Sequence, residues 1–168
     1  VMGQRIRGGR KNIQAFSKVY ARFRDQGDRR GQLLSLAYLI EAAVFIGHPI
    51  TDLNDWLQSA WSLLEAVSGN HYYPFAKAIL WTQVAFGSLS VAGDLQKGLS
   101  ACRNALLLAN TIGDDVLTVN ATIIHVFGLT LSGAFAAAEK ELSVIEGIVG
   151  SAYPEYRALK NIVHMDLA

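Results

Sequence analysis

Apolar residues recur every three or four positions along most of this chain, in stretches that end at Gly, Pro or Asp. This spacing places the apolar side chains on one face of an α-helix. Two of the clearest stripes are Leu53, Leu57, Ala60 and Leu64, and Phe135, Ala138, Leu142 and Ile145. The pattern predicts an all-α protein assembled from amphipathic helices.

Turn residues between the apolar stretches divide the chain into eight predicted helices. Gly-Asp pairs at 27–28, 93–94 and 113–114 are expected to end one helix and begin the next, since glycine adopts left-handed backbone conformations and aspartate caps N-termini. Pro49 cannot continue a helix, so Thr51 or Asp52 should cap the third, and Pro74 suits the first turn of the fourth. The predicted spans are about 11–26, 28–46, 52–67, 75–91, 94–110, 114–131 and 134–148, with an eighth from Pro154.

The predicted helices differ in how much of their circumference is apolar. The helix over 28–46 carries apolar residues on nearly all sides, which is expected of a helix packed by several neighbours. The helix over 94–110 has a single stripe, formed by Leu95, Leu99, Cys102, Leu106 and Ala109. One helical hairpin cannot bury such a stripe, so each hairpin should be covered by the next.

A repeat with a period of about 40 residues connects these hairpins. Gly93 and Gly133 precede the fifth and seventh helices one period apart, and Tyr73-Pro74 recurs as Tyr153-Pro154 after two periods. The first apolar positions of the odd-numbered helices follow nearly the same spacing; they are Phe16, Leu53, Leu95 and Phe135. The sequence therefore predicts a right-handed α-α superhelix of about four hairpins, forming one domain over 11–168.

Four two-helix units with Gly-Asp starts resemble the tetratricopeptide-like superfamily. Residues 15–47, AFSKVYARFRDQGDRRGQLLSLAYLIEAAVFIG, are similar to the helical-repeat regions of large bacterial signal-transduction regulators of the maltose-regulator type. The tetratricopeptide signature of about 34 residues is absent as such, because these units are longer. The resemblance implies a sensor or docking arm of a transcription regulator, and a fragment of a longer chain, since the nucleotide-binding switch and DNA-binding module of those regulators are not among these 168 residues.

Charge is unevenly distributed, although the net charge is only +1. Residues 1–31 contain nine basic and two acidic side chains, and the remainder contains six basic and twelve acidic ones. Residues 1–10 are expected to form a flexible basic leader. A predicted electrostatic docking patch for an acidic partner consists of Arg10, Lys18, Arg22, Arg29 and Arg30. The alternative is that these residues form an ordinary solvated helix face.

Motifs for catalysis, cofactors and metals are missing from the sequence. It has no G-x-S-x-G, no phosphate-binding Gly-Lys-Ser/Thr loop, no H-E-x-x-H, and only one cysteine, Cys102. His48, His71, His125 and His164 have no i, i+4 partner of metal-ligand type. We therefore expect a protein that is not an enzyme, needs no cofactor or metal, and resides in the reducing environment of the cytoplasm.

Polar and aromatic side chains within the helices form a candidate ligand or partner groove. Glu41, Gln83 and His125 are equally spaced along the chain, which suggests that they occupy equivalent positions in successive repeats. Alignment of the repeats on their Gly-Asp pairs instead places Glu41 opposite Phe127. Buried polar groups need hydrogen-bond partners, so these side chains either satisfy structural needs or line a groove. The complete candidate set is Glu41, Trp61, Trp81, Gln83, Thr122 and His125.

Two binding functions, and a purely structural role as a spacer or dimerisation arm, fit these features. The first is a non-catalytic module that docks a protein or peptide, including other domains of the same polypeptide. The alternative is a sensor that binds a metabolite in a groove between hairpins.

Membranes and nucleic acids are not expected partners. Segments 33–47 and 116–135 are poor in charge, but the first is short and the second contains several polar residues. The basic residues do not form a recognition-helix pattern, which disfavours direct nucleic-acid binding.

Overall fold

The computed structural model describes residues 9–47, 49–67 and 72–149, and within these ranges the chain is helical without any β-strand. A π-helical segment, Ser88–Ala92, extends the fourth helix. The prediction of an all-α protein is confirmed, whereas the predicted helix from Pro154 lies outside the described residues. The α-helices are α1 (Gly9–Asp25), α2 (Arg29–Ile46), α3 (Ile50–Ala66), α4 (Pro74–Gly87), α5 (Leu95–Ile112), α6 (Asp115–Leu131) and α7 (Phe135–Val149).

Gly-Asp pairs form three of the helix junctions, as predicted. The glycines adopt φ of 67° to 72°, a conformation that costs other residues more because of their Cβ atom. Each following aspartate accepts a hydrogen bond of 2.9–3.0 Å from the backbone N–H three residues later. At the second junction the Lys97 N–H holds the pKa of Asp94 below its ordinary value, assisted by the Lys97 side chain.

Several predicted helix ends are wrong. α3 begins at Ile50 after Pro49 and has no side-chain cap, so neither Thr51 nor Asp52 serves in that position. The fixed φ of proline already suits the start of a helix there. α4 ends at Gly87, where the π-helical segment begins, and α1 starts at Gly9, inside the predicted leader.

Three helices form an inner layer, which we define as α2, α4 and α6, with α4 packed between the other two. The remaining helices lie on this layer: α1 packs along α2, α3 on α2 and α4, α5 on α4 and α6, and α7 on α6. This arrangement explains the sequence pattern, because an inner helix is covered from several sides and an outer helix presents one apolar face.

The hydrophobic core runs through the whole described array. Its largest cluster extends from Ile13 of α1 to Cys102 of α5. A second cluster joins α6 to α7 and includes Val126 and Leu142, and Phe127 contacts both clusters. Successive helices therefore share one nearly continuous core.

The buried face of α5 differs from the predicted stripe. Leu95, Leu99 and Leu106 are only partly buried at its edge. The buried positions of α5 are occupied by small residues, namely Gly98, Ala101, Cys102, Ala105 and Ala109. Small side chains allow a helix backbone to approach its neighbours closely, so α5 fits tightly against α4 and α6.

Leu89 of the π-helical segment occupies a notch that we define by Gly98 of α5 and Gly128 of α6. A Cβ atom on Gly98 would lie 2.5 Å from the Leu89 side chain, and one on Gly128 would lie 2.8 Å from the Leu99 side chain of α5 and 3.0 Å from that of Leu89. Leu89 is only 5% exposed, so it has little room to move. The two glycines therefore make space for this leucine between three elements.

One stretch in the described part of the chain, Pro74–Ala92, is long and apolar enough to cross a membrane, with mean hydropathy 1.2. It differs from the two segments weighed from the sequence. In the fold, 56% of it is buried, and α4 packs against α2, α3, α5 and α6.

Replacing Gly98 by alanine should destabilise the fold, although alanine favours helices by about 1 kcal/mol over glycine. Overpacking against Leu89 should dominate, giving a net loss of about 1–3 kcal/mol in urea denaturation. In a Leu89→Ala background the same change should be neutral or stabilising, because the notch is then empty. An equal loss of unfolding free energy in both backgrounds would show that the Leu89 side chain is not the reason why position 98 requires glycine.

Candidate functional site

An open cleft of about 580 Å³ lies between the α1–α2 hairpin and α3. This volume lies within the range of small-molecule sites. Most of its lining residues are polar, and they include two arginines and one carboxylate residue. The polar lining includes Arg24 from α1, Arg29 and Gln32 from α2, and Asp55, Gln58 and Ser62 from α3.

The first hairpin positions the arginine side of this cleft. A Cβ atom on Gly31 would lie 2.4 Å from the Phe23 ring, so the two helices meet closely at the turn. Gln32 is 3% exposed, and its Nε2 donates a 3.3 Å hydrogen bond to the Phe23 carbonyl. Its Oε1 accepts a 3.3 Å hydrogen bond from Nη1 of Arg29. Gln32 thereby links the end of α1 to the Arg29 guanidinium.

The predicted docking patch lies on α1 and the first turn of α2. Lys18, Arg22, Arg29 and Arg30 are exposed, whereas only the backbone of Arg10 is described. Arg29 alone of this patch lines the cleft. The sequence analysis missed Arg24, another exposed arginine of α1, whose Nη2 lies 3.5 Å from Asp25 Oδ1.

The predicted groove residues lie elsewhere, and none of the six lines this cleft. Trp61 and Trp81 meet edge to face, with ring centroids 4.7 Å apart. Trp61 Nε1 and Gln83 Oε1 are buried and have no hydrogen-bond partner within the described ranges. Glu41 is partly buried in α2.

His125 and Thr122 have structural partners. His125 Nδ1 lies 2.7 Å from Glu141 Oε2, which connects α6 to α7. The Thr122 hydroxyl donates a 2.8 Å hydrogen bond to the Thr118 carbonyl of its own helix. His125 therefore faces α7.

Cys102 is fully buried, as predicted for a core residue. Burial, with a smaller contribution from the Glu141 charge, raises the pKa of its thiol to about 12. The thiol therefore stays protonated at neutral pH and is a poor nucleophile. Across the described ranges, no group of three or more His, Cys, Asp or Glu side chains could hold a metal ion.

Sequence reasoning missed two polar residues with structural roles. Gln32 interrupts the apolar pattern of α2 just as Glu41 does, so the same criterion could have identified it. Glu141 borders the apolar stripe of α7, and nothing in its local sequence indicates His125 as its partner. That contact depends on how α6 and α7 pack.

Comparison with protein-family models, curated proteins and solved structures found no match for this chain. Its tetratricopeptide-like membership therefore stays a prediction, and the site geometry is the basis for any functional proposal.

Cys102 should be almost unreactive in the native protein, because its thiol is both buried and protonated. With a thiol-specific disulfide reagent near pH 8, we expect labelling at least about 100-fold slower than in concentrated urea. The chain has one cysteine, so the measured rate belongs to Cys102 alone. Native labelling as fast as that of the unfolded chain would contradict this placement.

Proposed function

We propose that this chain is a non-catalytic helical-repeat module that docks an acidic segment of a partner protein or of another domain of its polypeptide. The observation that carries the proposal is the position of the exposed arginines. Arg22, Arg24, Arg29 and Arg30 surround the α1–α2 turn and adjoin an open polar cleft. An acidic chain segment would meet both charge and hydrogen-bonding groups there.

The charge distribution supports this orientation of binding. Among the described residues, α6, α7 and the turn before α6 carry five acidic side chains and one basic side chain, Lys140, whereas α1 and the α1–α2 turn carry more basic than acidic residues. The five acidic residues are Asp114, Asp115, Glu139, Glu141 and Glu146. An acidic partner would be attracted to the α1–α2 end and repelled from the α6–α7 end, which favours one docking site.

The same proposal includes a right-handed superhelix of tetratricopeptide-like hairpins within a cytoplasmic bacterial regulator. The alternation of inner and outer helices supports it, as do the three Gly-Asp junctions.

A second candidate function is a metabolite sensor. The cleft volume of about 580 Å³ and its position between the first hairpin and α3 favour it. In that case a small compound would raise the melting temperature in a dose-dependent way, whereas a broad metabolite screen without any shift would count against sensing.

A fluorescent hexaglutamate peptide, capped at both ends, tests the docking function. It should bind the protein in fluorescence anisotropy, and raising NaCl from about 50 mM to about 500 mM should weaken binding at least about tenfold. A capped hexalysine peptide is the matched control and should bind much more weakly. Equal binding of the two peptides, or no binding of hexaglutamate at low salt, would refute the proposal.

A further inference from the structure

We propose that the cleft itself, rather than the surrounding basic surface, is where carboxylate side chains of the acidic segment are held, with Arg29 as the main anchor and Gln32 positioning it. This inference rests on the proposed docking function and specifies its binding site. The ligand class is a peptide segment carrying Glu or Asp side chains.

The cleft is lined by several residues that carry hydrogen-bond donors. Arg29 makes one hydrogen bond within the described residues, to Gln32, and a guanidinium carries five N–H donors. Arg24, Tyr20 and Ser62 also line the cleft, with Arg24 Nη2 lying 3.5 Å from Asp25 Oδ1. Donors therefore outnumber the one lining carboxylate, Asp55, which suits an anionic ligand.

Arg29 is restrained by a hydrogen bond to Gln32 before any ligand binds. Gln32 is almost completely buried, and both ends of its amide are used, one on the Phe23 carbonyl and one on Arg29. A guanidinium fixed in this way loses less freedom when it receives a carboxylate than an unrestrained surface arginine. Arg30, its neighbour in sequence, is exposed and does not line the cleft.

The chain offers two matched pairs of arginines for the test. On α1, Arg24 lines the cleft and Arg22 does not; on α2, Arg29 lines it and Arg30 does not. All four are exposed, so replacement by glutamine removes the same charge from each, and cooperative melting of each variant checks that loss of the Arg29–Gln32 hydrogen bond leaves the fold intact. If the cleft-lining arginine of a pair contributes more to binding than its partner, the ligand lies in the cleft. If both contribute equally, the ligand is held by the basic surface as a whole.

We expect Arg29→Gln to weaken hexaglutamate binding at least about fivefold and Arg30→Gln less than about twofold, with Arg24→Gln exceeding Arg22→Gln in the same sense. Equal losses within both pairs would overturn the cleft assignment while leaving docking through the basic surface intact. If wild-type protein fails to bind hexaglutamate at all, the proposed function itself fails.

Two further measurements define the ligand and the role of Gln32. Citrate should bind more weakly than hexaglutamate. If citrate binds more tightly and its binding depends on Arg29, the ligand of the cleft is a free polycarboxylate and not a peptide. Gln32→Leu removes both hydrogen bonds of the Gln32 amide without adding charge, so it should reduce the difference between Arg29→Gln and Arg30→Gln. An undiminished difference in folded Gln32→Leu protein, verified by its cooperative melting, would exclude a positioning role for Gln32.

Discussion

Close approach between neighbouring helices, made possible by glycines at the contacts among α1 to α6, is the constraint on which this structure depends. Gly31 lies under the Phe23 ring where α1 meets α2, and a Cβ atom on Gly87 of α4 would lie 3.1 Å from Leu57 of α3 and 3.3 Å from Ile40 of α2. Gly98 and Gly128 make the corresponding space for Leu89. These contacts bring the backbones close enough for the inner layer to be covered on several sides.

The same close contacts determine the geometry of the candidate site. The Phe23–Gly31 contact fixes the angle of the first hairpin, and Gln32, one residue later, ties the end of α1 to Arg29. The cleft forms because α3 packs on α2 while the polar side of α3 faces this hairpin. The site is therefore a consequence of packing, and its charge comes from the residues that flank one turn.

Much of the fold could be predicted because its signals are local. Apolar spacing and the Gly-Asp pairs determine helix number and most helix ends over the described ranges, since a capping carboxylate and a left-handed glycine act within a single helical turn. The π-helical segment and the small-residue face of α5 could not be predicted, because both depend on how Leu89 and the facing helices pack in three dimensions. The basic residues of the candidate site could be recognised in the sequence. Which of them line the cleft could not, because that depends on where α3 packs. The pairing of His125 with Glu141 likewise required the packing of α7.

Native-state hydrogen exchange tests the central claim, that the inner layer is the structural foundation of the array. Amides of α2 and α4 should exchange slowest, through global unfolding, because those helices are covered by several neighbours. Amides of α3 and α7 should exchange faster, through local opening. Slowest exchange in α3 or α7, or local opening of α4 below the global unfolding free energy, would contradict this account.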